Sequence, residues 1–200
     1  EDTPADDEIV LTSEKSYSNV FHANGGSAAF SVMANTLRGV YGTDVLLATA
    51  NSFTGSVLQA DYNKKMAASM IMPNGLMSRQ RTMTGAELKE TVRAFVEGWE
   101  GGFVPFNRGS LPVVSGIAVE VKEASGSYTL TGITRNGQPL RDDDTVTVTC
   151  LAAEKQMGAL LASESGTSLD GDTWVKNRWR DHVSGGGAAL AEPENYMTLR

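Results

Sequence analysis

Apolar residues in the run SAAFSVMANTLR, residues 27–38, fall at Phe30, Met33, Ala34 and Leu37. That three-and-four spacing predicts an amphipathic helix, opened by the Gly25-Gly26 break. In GTDVLLATANS, Val45, Leu46 and Leu47 form an unbroken apolar run suited to a short buried strand. A polar loop over 51–56 follows it. Residues 60–72 have mixed helical character and stop at Pro73, where Pro73-Asn74-Gly75 signals a turn. From 75 to 83 the period is two: Leu76, Ser78, Gln80 and Thr82 share one face, and Met77, Arg79, Arg81 and Met83 the other. This predicts a strand.

Thr84-Gly85-Ala86-Glu87 reads as a capping box, each end able to serve the other's backbone N–H. Leu88, Val92, Phe95 and Val96 then mark the buried stripe of a helix running to about Trp99, stopped by Gly101-Gly102. Ile117, Val119 and Val121 alternate with polar neighbours, and Tyr128, Leu130 and Ile133 look like a partner strand. Asn136-Gly137 is a hairpin signal, with Gln138-Pro139 delaying the next strand to 145–151. The consecutive Asp142, Asp143 and Asp144 predict a solvated loop, since a cation cage needs alternating ligands. Near the end, Asp172-Thr173 predicts the cap of a helix carrying Trp174, Val175, Trp179 and Val183, ended by Ser184 and the three glycines after it. The tail YMTLR predicts a last strand.

Composition narrows this picture. The 200 residues are 40% hydrophobic and 20% charged, enough for a real core in one domain. A net charge of -7 disfavours nucleic acid and anionic membrane as partners. No run approaches the roughly 20 apolar residues that span a bilayer. The opening EDTPADDE predicts an acidic leader over 1–14, with the folded domain over 15–200. A start at Glu1 fits either a mature exported protein or a piece of a longer chain. Cys150, the single cysteine, allows no internal disulfide and no cysteine-based metal site. Within TVTVTCLA it predicts a buried, inert thiol.

Candidate chemistry is sparse. His22 and His182 lie far apart, with no metal-ligand spacing to a partner. There is no GxSxG elbow, and the glycines form neither GxxxxGK[ST] nor GxGxxG. Trp174 and Trp179, five residues apart, point to different sides of a helix and suit core and rim packing. Glu87, Glu90 and Glu97 lie on the solvated side of theirs. No residue set supports metal-dependent or nucleophilic catalysis alone, so a binding or partner domain is expected.

The order of these segments resembles the C-terminal domain of the 5'-nucleotidase family, from about Ser18 to Arg200. The matching pieces are the helix with GTDVLLATANS, then MIMPNGLMSRQRTMTGAELKETV, then GSLPVVSGIAVEV, then ITRNGQPLRDDDTVTVTC, and last the final helix with ENYMTLR. The resemblance implies a single α+β domain with helices packed on a mixed β-sheet. It also implies an extracytoplasmic parent (periplasmic, secreted or cell-surface) whose N-terminal metallophosphoesterase half holds two divalent metals and cleaves the phosphoester. That half is the expected partner, in the same polypeptide. No cofactor and no membrane insertion are expected of this segment.

Site residues carry over unevenly. The family's strand-end Asn matches Asn51, but Ser52-Phe53-Thr54 replace the glycines after it, and Val57 or Leu58 stands where the phosphate-gripping Arg is expected. Leu cannot fork donors onto a phosphate. A base-stacking Phe falls on Leu111, leaving Phe103 and Phe106 as nearby substitutes. The second aromatic loop corresponds to KQMGALL, without an aromatic. Arg79, Arg81 and Arg108 are the candidate substitute cations. The expected ligand-binding set is therefore Asn51, Ser52, Arg79, Arg81, Phe103, Phe106, Arg108 and Leu111, with no catalytic or metal residue. The function expected is recognition of a nucleotide or nucleoside within a 5'-nucleotidase-like phosphohydrolase, with catalysis by this chain alone not expected. The alternative is a diverged, non-enzymatic structural or protein-interaction module of a larger surface protein.

Overall fold

The computed structural model describes residues 7–20, 26–72, 75–97, 112–153, 167–168, 173–185, 188–194 and 197–200. The elements are β1 (Ile9–Ser13), α1 (Ala28–Tyr41), β2 (Val45–Thr49), β3 (Ala60–Asn63), α2 (Lys64–Ala68), β4 (Leu76–Thr84), α3 (Gly85–Glu97), β5 (Pro112–Ser115), β6 (Ala118–Ala124), β7 (Ser127–Arg135), β8 (Gln138–Pro139), β9 (Thr145–Ala153), β10 (Thr167–Ser168), β11 (Thr173–Trp174), α4 (Val175–Ser184) and β12 (Met197–Leu199).

A mixed sheet ordered β10-β4-β9-β2-β5, with β11 also on β4, forms the centre. β2 runs parallel to β9 and antiparallel to β5, and β4 runs antiparallel to β9 along its whole length. A second sheet, β12-β6-β7-β8, and a small β1-β3 pair complete the strands. The central strands are buried on both faces, which is why β2 reads as an unbroken apolar run. Leu46 and Ala48 pack with Phe30, Met33 and Leu37 of α1 and Trp179 and Val183 of α4. Val45 and Leu47 pack the other way, with Leu88 and Val92 of α3 and Val119 and Ile133 of the second sheet. This is the α+β arrangement of helices on mixed sheet that the segment order implied.

Local signals explain several boundaries. At the capping box, Glu87 N–H donates to Thr84 Oγ1 at 3.2 Å and Thr84 N–H donates to Glu87 Oε2 at 2.7 Å. α1 ends at Gly42, whose φ of 65° suits the left-handed cap. The Asn136-Gly137 turn has both φ angles positive, at 52° and 76°, as a tight hairpin requires. Trp179 is fully buried and Trp174 is 46% exposed, the core-and-rim division their spacing predicted. Burial pushes the Cys150 thiol up to about 12, against the pull of the Arg81 and Arg79 guanidiniums, so it is inert at neutral pH.

Three expectations need revision. The stretch 60–72 is not helical throughout: 60–63 form β3, and Asn63 caps the short α2 by accepting from Met66 N–H at 2.9 Å. The pairing partner of β3 is β1, which lies within the stretch read as an acidic leader; Val10 and Leu11 bury there. The last helix starts at Val175, because Thr173 and Trp174 are used as β11 against Ser78 and Met77 of β4. Asp172, Trp99 and the Gly101-Gly102 stop lie outside the described residues.

Segment 188–194, which carries no periodic pattern, lies along α1, whose polar positions Ser31, Asn35 and Thr36 are buried beneath it. Asn35 Nδ2 donates to the Glu192 carbonyl, Thr36 Oγ1 accepts Ala191 N–H, and Ser31 Oγ accepts Glu194 N–H. These side chains do for an extended segment what a neighbouring strand would do, satisfying its backbone.

Candidate functional site

The strand directions gather four chain segments at one end of the central sheet. The parallel strands β2 and β9 both finish there, at Thr49 and Ala153. The antiparallel strands β4 and β5 both begin there, with Leu76 opposite Ala153 and Pro112 opposite Thr49. Ends of parallel strands are where α/β sheets leave room for ligands.

Asn51 and Ser52 sit at this end, in a single 3-10 turn over Ala50–Ser52. The turn is held firmly. Met72 N–H donates to the Ser52 carbonyl at 3.1 Å, and Thr54 N–H to the Met70 carbonyl at 3.1 Å. Thr54 Oγ1 donates to the Ser69 carbonyl at 2.6 Å. Phe53 stacks on Phe30 with centroids 5.9 Å apart. Asn51 is exposed, while Ser52 is fully buried and its hydroxyl has no hydrogen-bond partner among the described residues. A buried hydroxyl left unpaired costs about 1–3 kcal/mol. Val57 is buried and Leu58 is 59% exposed, so the position expected to grip phosphate offers only an apolar side chain.

Arg79 and Arg81 do not join this pair. They project from the α3 side of β4, opposite Cys150 and Val148, whereas Ala50 and Phe53 belong to the α1-side core. Arg81 Nη1 donates to the Gln80 carbonyl at 3.4 Å. Phe103, Phe106, Arg108 and Leu111 lie outside the described residues, in the segment between Glu97 of α3 and Pro112 of β5. Among the described residues, no three of His, Cys, Asp and Glu come together to hold a metal ion. His182 is exposed on α4, its ring 5.9 Å from that of Trp179; His22 lies outside the described residues.

Sequence reading missed a polar hub at the opposite end of the sheet. Asp44 enters β2, and its carboxylate accepts Thr147 N–H at 2.8 Å, Thr147 Oγ1 at 2.9 Å and an Arg135 Nη2 donor. Its signal was a lone acid immediately before a buried apolar run. Burial pushes the Asp44 carboxyl up, but the Thr147 N–H and hydroxyl, with Arg135 and Arg38, outweigh it and hold it below the ordinary range. A lowered folded value means the contribution is complete above the unfolded value, about pH 3.9, and is lost as pH falls through the folded one. The stability of the natural protein should therefore fall more steeply below about pH 4 than that of Asp44→Asn. Chemical denaturation at stepped pH checks this; equal slopes would show that Asp44 is not linked to folding.

No family model matches the sequence, and no curated protein does. Solved structures match over nearly the whole chain. A 5'-nucleotidase precursor from Thermus thermophilus superposes with a TM-score of 0.71 at 13% identity, over 96% of this chain and 39% of that one. The fold is that of a 5'-nucleotidase C-terminal domain. The NAD nucleotidase of Haemophilus influenzae matches at TM-score 0.65 and 17% identity, over 98% of this chain and 39% of its own. The sulfate thiohydrolase SoxB of Thermus thermophilus matches at 0.67 and 13%, over 96% and 35%. The chain thus spans about two fifths of the length of these proteins. At such identities the likeness is one of fold, and one 5'-nucleotidase-like scaffold serves proteins named for different substrates. No described helix is long and apolar enough to cross a membrane.

Proposed function

We propose that this chain is the ligand-recognition domain of an extracytoplasmic 5'-nucleotidase-like phosphohydrolase, and that it binds a nucleotide or nucleoside at the Asn51 end of the central sheet. The observation that carries the reading is an exposed amide, Asn51, on a braced turn where four chain segments converge, above a Ser52 hydroxyl without a partner among the described residues. Amide and hydroxyl groups recognise sugar hydroxyls and base edges through hydrogen bonds. Bond cleavage falls to an N-terminal metallophosphoesterase domain of the same polypeptide, which would hold the two divalent metals. This chain's own residues would bind and orient. Phe103, Phe106, Arg108 and Leu111 complete the proposed ligand set, with Arg79 and Arg81 outside the contact zone.

Isothermal titration with AMP, adenosine and UDP-glucose tests the proposal. Saturable binding by at least one of them is expected, weakened about tenfold in Asn51→Ala, the value of one hydrogen bond of about 1.4 kcal/mol. Silence toward all three at millimolar concentration would leave the domain without the proposed ligand. A second reading, a diverged non-enzymatic module, is favoured by Val57 and Leu58 at the phosphate-gripping position and by the placement of Arg79 and Arg81 on the other face of the sheet. The coding sequence upstream of Glu1 separates the two: DxH and GNHE motifs there support the phosphohydrolase, and their absence supports the module.

A further inference from the structure

At the end of the sheet opposite Asn51, a cavity of about 380 Å³ opens between α1, the start of β6 and the β7–β8 turn. Two arginines line it, Arg38 and Arg135, together with Asp44, Gly116, Asn136 and Glu194. Arg38 is held from behind by a buried chain of polar groups. Its Nε donates to Ser115 Oγ at 2.9 Å, the Ser115 hydroxyl donates to Asn35 Oδ1, and Asn35 Nδ2 donates to the Glu192 carbonyl at 2.7 Å. Ser115 is fully buried and Asn35 is 6% exposed, so the Arg38 side chain is anchored. Its Nη1 also donates to the Asp44 carbonyl at 3.3 Å. Arg135 is anchored in turn by the Asp44 carboxylate, itself fixed by Thr147.

A guanidinium carries five N–H donors. Among the described residues, protein acceptors take two from Arg38 and one from Arg135, leaving most of both forks available at the cavity. The cavity of about 530 Å³ on the other side of Arg135 also has a second arginine, Arg141, but that guanidinium is exposed and already paired with Asp143. We propose that the cavity between Arg38 and Arg135 binds a small organic carboxylate, held by their two forks. The charge count selects the class. Two guanidiniums stand against the one carboxylate that pairs with them, Asp44, and Glu194 also lines the cavity, so one further negative charge balances the site and a phosphate dianion overshoots it. A planar monoanion matches an arginine fork geometrically and adds the least repulsion. The site lies at the far end of the sheet from Asn51 and does not depend on the nucleotide reading.

Isothermal titration with acetate, propionate and inorganic phosphate, at constant ionic strength set by chloride, tests it. Acetate or propionate should bind saturably with a Kd on the order of 1 mM, and phosphate more weakly. Arg135→Gln should abolish the binding. Because that change also unpairs Asp44, Arg135→Lys serves beside it: the charge facing Asp44 is kept, the fork is lost, and binding should weaken about tenfold. Asn51→Ala should leave carboxylate binding unchanged, which separates a failure here from a failure at the other end. No saturation by either carboxylate, tighter binding of phosphate than of carboxylate, or unchanged binding in a folded Arg135→Lys protein would each overturn the proposal.

Discussion

Trp179→Ala should destabilise the protein by about 3–5 kcal/mol, a large share of the roughly 5–15 kcal/mol typical of a folded domain. Trp179 is fully buried in the core between α1, α4 and the central sheet, with Val175 and Val183 one turn either side on the same face. Its indole N–H donates to the Ala67 carbonyl at 2.8 Å, tying α4 to α2. Truncation removes the largest side chain in that core and takes one of two donors from the Ala67 carbonyl, which keeps the Met70 N–H at 3.1 Å. Trp174, five residues earlier and 46% exposed, provides the internal control: Trp174→Ala should stay within about 0.5 kcal/mol. Urea titrations of the two variants, followed by far-UV circular dichroism, give the comparison. A cost below about 1 kcal/mol for Trp179→Ala would show that α4 does not close this core.

Gly116→Ala ranks second, at about 3 kcal/mol, and its cost has two separable sources. The residue has a φ of +83°, a conformation that disfavours a side chain by about 1–2 kcal/mol. A Cβ there would also lie 2.0 Å from the Asp44 carbonyl oxygen and 3.1 Å from Arg38 Cδ, so the turn between β5 and β6 would have to move off the hub. Overpacking of that kind adds about 1–3 kcal/mol. Gly126 has nearly the same φ, +80°, with nothing within 4 Å of its virtual Cβ. Gly126→Ala should therefore cost only the backbone part. Equal unfolding midpoints for the two variants would mean that the close approach to Asp44 carries no weight.

The legible parts of this fold were those whose cause lies within a few residues. The capping box at Thr84 and Glu87, the hairpin turn at Asn136-Gly137 and the two-residue period of β4 and β6 are local, and each forms as the residues dictate. β3 was not legible because it owes its conformation to β1, about fifty residues away; Asn63, the cap of α2, was the available clue. Thr173 and Trp174 could equally open a helix or edge a sheet, and β4 decides between these by pairing with them. The polar positions of an amphipathic helix are expected to be solvated, yet Ser31, Asn35 and Thr36 of α1 are buried under segment 188–194.

The candidate site divides along the same line. Asn51 and Ser52 were proposed from the resemblance, which places the family's strand-end Asn after the apolar run of β2. Arg79 and Arg81 were chosen for their charge, and alternation shows only that they share a face, not which face. β4 carries apolar residues on both faces, Leu76 on one and Met77 and Met83 on the other, so the face turned toward α3 is settled by packing. Asp44, Arg38 and Arg135 come from three separate segments, and only the fold shows that they meet.

The proposed recognition of a nucleoside or nucleotide at the Asn51 end of the sheet can be tested residue by residue. Backbone amide resonances of isotope-labelled protein, recorded during titration with adenosine and AMP, report contact at each position separately. Saturable shifts of Asn51, Ser52 and Phe53, and of Val113 beside the start of β5, are expected, with Arg135 and Leu140 at the far end unmoved. An absence of shifts, or shifts confined to the α3 face around Arg79 and Arg81, would contradict recognition at that end.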